Sequence, residues 1–99
     1  MDANPDLAGQ ILVHPDVVWR DVDGEIVLLN VVTGQYFGLD EVGSRVWMLL
    51  QQEGDAGVSL ATLQDRVLAE FDVDRPTAKA DLTALIHQLL EQALVTVRA

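Results

Sequence analysis

The sequence predicts a mixed α+β fold, with a three-stranded antiparallel sheet in the N-terminal half followed by three helices. Short β-branched and apolar runs in the first half are separated by Asp23-Gly24 and Thr33-Gly34, pairs typical of tight turns between strands. From Asp40 onward the hydrophobic residues recur with the period of a helix rather than that of a strand. Hydrophobic residues make up 49% of the 99 positions, which supports one domain with a modest core.

The predicted sheet is a meander. Residues 17–20 form the first strand, and the Asp23-Gly24 turn leads into a second strand over about residues 25–31. The Thr33-Gly34 turn leads into a third strand over residues 35–39. Because the third strand is the last of the meander, we place it at one edge of the sheet.

Three amphipathic helices follow the sheet. The first begins after Asp40, a good N-cap, and the second begins after Ser59 and runs to about Phe71. The inner face of the second helix is assigned to Leu60, Leu63, Val67 and Phe71. Pro76 suits the first turn of the third helix, which runs to about Gln92. Residues 94–97 are a short apolar segment that favours a closing strand.

The chain is predicted to have a flexible N-terminal arm, residues 1–14, and a single domain, residues 15–99. The N-terminus lacks the basic region and apolar run of a signal peptide, and no apolar segment approaches the roughly 18 residues that span a bilayer. The absence of cysteine fits a reducing compartment. We therefore expect a cytoplasmic protein without a membrane partner.

Charge weighs against nucleic acid as a partner. Sixteen acidic and six basic residues give a net charge of −10, whereas nucleic acids and anionic membranes select basic surfaces. A sheet followed by helices with a short break also fits a winged helix-turn-helix, so a DNA-binding regulator is the alternative from another class. In the third helix, however, Arg75 and Lys79 are offset by Asp81 and Glu91.

No residue pattern predicts catalysis, a metal site or a cofactor. Ser44, Ser59 and Thr33 lie outside a Gly-x-Ser-x-Gly motif and suit caps and turns. Residues 21–25 resemble the start of a calcium loop, but predicted strands rather than helices flank them. His87 has Asp81 and Glu91 on the same predicted helix, but these do not make up the full ligand count of a helical zinc site. We expect a protein that is not an enzyme.

The predicted third strand is an edge without a protecting charge or proline, so an extended peptide could add to it as a further strand. Leu82, Ile86 and Leu89 point into the core, which leaves one flank of the third helix as a wall for such a groove. The alternatives are that the opposite flank forms the wall, or that these residues only pack. The candidate peptide-binding residues are Gln35, Tyr36, Phe37, Gly38, Leu39, Ala78, Asp81, Leu85 and Gln88.

Two segments of the sequence resemble PqqD-like proteins, the leader-peptide recognition elements of ribosomally made and modified peptides. The first runs from Asp23-Gly24-Glu25 through residues 29–43 to Val46-Trp47 and Leu50, and the second from Phe71 to Val95. Together the resemblance covers about residues 15–97. It implies a winged-helix-like domain of three strands and three helices. It also implies that a precursor's leader adds antiparallel to the third strand and packs against the third helix.

Within that family, residues 39–47 look most like the stand-alone proteins of lasso-peptide clusters. This resemblance implies non-catalytic leader binding and delivery to a separate cysteine leader peptidase, with a cyclase as a further partner. A PqqD-type peptide chaperone for a radical enzyme is the alternative, because both roles use the same strand and helix. One departure is Ala93, where the family often has glycine, which puts the turn geometry there in question.

Overall fold

The computed structural model describes residues 7–98, which form two three-stranded antiparallel sheets, three α-helices and a short 3-10 helix, Gly54–Ala56. In chain order the elements are β1 (Gln10–Val13), β2 (Val17–Val22), β3 (Glu25–Asn30), β4 (Tyr36–Gly38), α1 (Glu41–Glu53), β5 (Val58–Ser59), α2 (Leu60–Glu70), α3 (Arg75–Glu91) and β6 (Val95–Arg98). The predicted α+β class, with a three-stranded sheet followed by three helices, is confirmed. The second sheet was not predicted.

The predicted meander is the sheet β2-β3-β4, in which β4 corresponds to the predicted third strand. Asp23 and Gly24 both have positive φ, at 55° and 91°, which is the backbone geometry of a type I′ hairpin turn. Gly34 also has a positive φ, 79°, in the turn that leads to β4. Among the described residues β4 pairs only with β3, so its other side is an edge of the sheet.

The second sheet corrects the prediction of a flexible arm. Residues 1–6 of that arm lie outside the described residues, whereas Gln10–Val13 form β1, the central strand of the sheet β5-β1-β6. Ile11 is fully buried, so the core extends N-terminal of the predicted boundary at residue 15. This part of the arm is ordered by long-range pairing, because β1 bonds to β6 along its whole length. Strand β6 corresponds to the predicted closing strand.

Side-chain caps begin all three helices. Asp40 Oδ1 accepts a hydrogen bond from the Gly43 N–H at 2.8 Å, and Ser59 Oγ accepts one from the Thr62 N–H at 3.1 Å, as predicted. Asp74 caps α3, one residue before the helix and two before Pro76. No helix among the described residues is long and apolar enough to cross a membrane.

A buried serine joins the sheet to the first helix. Ser44 of α1 is 6% exposed, and its Oγ accepts a hydrogen bond from the Ile26 N–H of β3 at 2.9 Å. The same hydroxyl donates to the Leu39 carbonyl, just beyond β4, at 3.3 Å. An unpaired buried hydroxyl is costly, so these two bonds hold the start of α1 against β3 and against the residue that follows β4. Around them lies a single core that includes Trp47, Leu28, Leu50, Leu63, Ile86 and Leu89.

Helix α3 ends in a Schellman motif at Ala93, the position where related sequences often have glycine. The Leu94 N–H donates to the Leu89 carbonyl at 2.8 Å and the Ala93 N–H donates to the Leu90 carbonyl at 3.1 Å. Ala93 takes the left-handed φ of 58° that normally favours glycine. Its carbonyl accepts a 2.7 Å hydrogen bond from Asn30 Nδ2, so the alanine adopts the turn with support from a buried side chain.

A candidate peptide-binding groove

The free edge of β4 has unused backbone hydrogen-bonding groups. The Leu39 N–H donates to the Ile26 carbonyl at 2.8 Å, and bonded pairs alternate along an antiparallel ladder. Phe37, two residues earlier, therefore also directs its N–H and carbonyl toward β3. The N–H and carbonyl groups of Tyr36 and Gly38 point the other way, toward the open edge. That edge presents two donors and two acceptors at the spacing of an antiparallel partner strand.

A groove of about 560 Å³ lies beside this edge, between β4, the start of α1, the end of α2 and one face of α3. Most of the predicted site residues line it: Phe37, Gly38, Leu39, Ala78, Asp81, Leu85 and Gln88. Gln35 and Tyr36 do not line the groove. The Gln35 carbonyl accepts a hydrogen bond from the Asn30 N–H of β3, and the Tyr36 side chain is 72% exposed. The structure thus brings both predicted segments together, while their role in binding stays a prediction.

The wall opposite β4 was missed by the sequence analysis. Val67, Phe71 and Val73, from α2 and the connection to α3, also line the groove. Phe71 had been assigned to the inner face of α2, but it lies just past the helix in an extended conformation and is half-buried. The available signal was the alternation of Phe71 and Val73 with aspartates, a two-residue period typical of an extended segment.

An ion pair joins α1 to the last residue of α2, next to this wall. Arg45 Nε of α1 lies 2.7 Å from Glu70 Oε1, and the second guanidinium bond is 3.2 Å long. The Arg45 guanidinium, with a smaller contribution from Arg66, lowers the pKa of the Glu70 carboxyl. Glu70 is the last residue of α2, so the pair holds the end of that helix, and with it Phe71, near α1.

The groove has an apolar interior and an acidic rim. Its charged lining residues are Asp40, Asp72 and Asp81, and no lysine, arginine or histidine is among them. Asp40 already caps α1, whereas Asp72 and Asp81 are exposed. Among residues 7–98 no group of three histidine, cysteine, aspartate or glutamate side chains could hold a metal ion. The groups that the groove offers are backbone hydrogen bonds, apolar contacts and negative charge.

Comparisons with known proteins identify the family. A family model described as coenzyme PQQ synthesis protein D (PqqD) matches residues 25–95. No curated protein matches the sequence. A solved structure described as TbiB1 in complex with the TbiA(beta) leader peptide is 39% identical, with a TM-score of 0.77, over 89% of this chain and 98% of that chain.

A second solved structure is described as lasso peptide synthetase B1 complexed with the leader peptide. It is 23% identical, with a TM-score of 0.73, over 88% of this chain and 98% of that chain, and it shows similarity of fold alone. The family match contains β3, β4 and all three helices, and so includes the four elements that form the groove, β4, α1, α2 and α3. The chain therefore belongs to the PqqD family.

Proposed function

We propose that this protein binds the leader segment of a ribosomally made precursor peptide in lasso-peptide biosynthesis, without catalysing a reaction itself. The observation that carries the proposal is the open edge of β4, with its unused backbone groups at Tyr36 and Gly38, directly beside an apolar groove. The similar structure TbiB1, which contains a leader peptide, supports the same reading. The leader adds antiparallel to β4, and alternate side chains enter the groove.

The energetics require both parts of the site. Four backbone hydrogen bonds contribute about 0.5–1.5 kcal/mol each, or about 2–6 kcal/mol together. A micromolar complex has a net binding free energy of about 8 kcal/mol, and this is what remains after the cost of ordering the peptide is subtracted. Each buried side chain of leucine size adds about 1.5–3 kcal/mol, so apolar anchors against Phe37, Phe71 and Leu85 supply the difference.

The bound leader is then presented to a separate cysteine leader peptidase, with a cyclase acting on the remainder of the precursor. These steps take place in the cytoplasm. The domain that binds the leader has a winged-helix-like arrangement. A second candidate function, a peptide chaperone for a radical modifying enzyme, is favoured by the description of the matching family model as a coenzyme PQQ synthesis protein. It uses the same groove and differs in the enzyme that receives the peptide.

Fluorescence anisotropy with a labelled synthetic leader from the precursor of the same biosynthetic cluster tests the proposal. We expect a Kd of about 10 μM or tighter, and a scrambled leader of the same composition as control should bind at least tenfold more weakly. Absence of binding below about 1 mM would contradict leader recognition.

Leu85→Asp places a carboxylate in the apolar interior of the groove and should weaken leader binding at least tenfold. Phe37→Asp should do the same from the strand side. Ala80→Asp is the matched control, because Ala80 lies on the same helix, is exposed and does not line the groove. If both groove variants keep wild-type affinity and circular dichroism, the leader binds elsewhere.

A further inference from the structure

One flank of α3 presents a carboxylate and an apolar side chain to the groove, one helical turn apart. Helix α3 lines the groove over about three turns, from Ala78 to Gln88. Within this stretch Asp81 is exposed, and Leu85, four residues later, is half-buried. Side chains four residues apart are neighbours on a helix surface, so the charge lies directly beside the apolar interior of the groove.

The fold does not use the Asp81 carboxylate. Among the described residues it accepts no hydrogen bond and belongs to no ion pair, and the same holds for Asp72, on the connection between α2 and α3. Other acidic side chains nearby are occupied, since Asp74 caps α3 and Glu70 is bound by Arg45. The described residues that line the groove include no lysine or arginine to neutralise these two carboxylates. Both are therefore free to meet a cation from outside the chain.

We propose that Asp81 selects leaders whose bound strand carries a lysine or arginine two positions from an apolar residue, with the apolar side chain against Leu85 and the cation at Asp81. This inference rests on the proposed function and names the class of leader that the groove accepts. A carboxylate covered by a peptide loses water, which costs free energy unless a cation or a hydrogen-bond donor takes the place of that water. A basic side chain does so, and it is also attracted by a chain with a net charge of −10.

The spacing along the groove wall matches that of an added strand. Asp81 and Leu85 are separated by a rise of about 6 Å along the axis of α3. In an extended peptide, side chains two positions apart point to the same side and lie about 6.6 Å apart. A leader strand paired with β4 therefore directs alternate side chains toward the groove at nearly the interval at which the carboxylate and the apolar side chain are presented.

Charge reversal at Asp81 tests the inference. Asp81→Lys is compared with Glu91→Lys, a matched control, because Glu91 lies on the same helix, is exposed and does not line the groove. The probe is the labelled synthetic leader from the precursor of the same biosynthetic cluster, titrated by fluorescence anisotropy at low ionic strength. We expect Asp81→Lys to weaken leader binding at least about tenfold and Glu91→Lys to leave the Kd within about twofold, since only the first change brings like charges together. Circular dichroism checks that both variants are folded.

A series of altered leaders identifies the cation. Each lysine and arginine of the leader is replaced by glutamate in turn. One of these peptides should bind wild-type protein at least about tenfold more weakly than the unchanged leader does, and it should bind Asp81→Lys more tightly than the unchanged leader does. A merely structural effect of the substitution would not produce this exchange. Asp81→Asn, which keeps the size of the side chain, should weaken binding by about twofold to fivefold at low salt and have no effect at high salt.

Three results would overturn the inference: equal Kd values for Asp81→Lys and Glu91→Lys, no glutamate peptide that recovers affinity for Asp81→Lys, or a leader without a basic residue two positions from an apolar one. In each case wild-type protein still binds the unchanged leader, so the proposed function stands. If wild-type protein does not bind that leader at all, the proposed function and this inference fail together.

Discussion

A proline in place of Tyr36 should separate backbone pairing from side-chain contact at the open edge of β4. The Tyr36 N–H points away from β3, so its loss removes no hydrogen bond of the native sheet. Proline is tolerated on edge strands where the N–H would face solvent, and it also requires an extended conformation of the preceding residue. Gln35 precedes it, and its carbonyl bond from the Asn30 N–H should persist. We therefore expect a folded variant.

The expected loss of leader affinity follows from the hydrogen bonds that the edge of β4 offers to an added strand. The four free groups of Tyr36 and Gly38 should bond the leader, and the variant removes one donor. A leader carbonyl left without its partner costs about 1–3 kcal/mol. That corresponds to a Kd about 5- to 150-fold weaker. The proline ring, which lies where the added strand would approach, favours the upper half of this range.

The assay is leader titration by anisotropy for wild type, Tyr36→Pro and Tyr36→Ala. Tyr36→Ala removes the exposed side chain but keeps the N–H, so it isolates the backbone contribution. Phe37→Pro is the converse control: its N–H points toward β3, so this variant should lower the unfolding temperature whereas Tyr36→Pro should not. Equal Kd values for Tyr36→Pro and Tyr36→Ala, with both proteins folded, would refute strand addition at this edge.

Two further predictions concern stability. Asn30→Ala removes the donor to the Ala93 carbonyl and the acceptor for the Val32 and Thr33 N–H groups, which should cost about 2–4 kcal/mol and lower the unfolding temperature by about 10–30 °C. A decrease of less than about 3 °C in calorimetry would show that water replaces these bonds. The pKa of Glu70 is lowered by Arg45, so the folded state holds its proton less tightly than the unfolded state, and the pair stabilises above the ordinary value of 4.5. In urea unfolding, the stability advantage of wild type over Glu70→Gln should therefore shrink as the pH falls from about 6 to about 3, and a constant difference would contradict the role of the pair.

Much of the fold was predictable because its signals are local. The Asp23-Gly24 turn needs only two residues with positive φ, and the caps Asp40 and Ser59 act within three residues of their own position. The flank of α3 was predictable for the same reason, since helical periodicity alone puts Asp81 and Leu85 on one side.

The rest of the candidate site depends on contacts between distant segments. Phe71 was placed on the inner face of α2, and it does pack against the core, but the helix ends one residue earlier and Phe71 also lines the groove. Tyr36 was placed in the groove with its neighbours, although the two-residue alternation of a strand directs its side chain to the outer face. Tyr36 contributes its backbone N–H and carbonyl to the proposed site, at the edge beside the groove. A sequence pattern shows that a residue belongs to a site, but not whether its backbone or its side chain does.

By itself, the sequence determined the net charge of −10 and also the α+β class, the three-stranded meander and the helix starts. The last three are set by residues near each other in the chain. Only the tertiary structure decided that Gln10–Val13 is a central strand rather than an arm, because its partners lie in β5 and β6, 47 to 88 residues away. The same holds for the groove, whose walls come from four separate elements. The open edge of β4 could be predicted as an edge, but what lies beside it depends on how α2 and α3 pack. Periodicity in the sequence marks which face of a helix is buried, but not which other element covers that face.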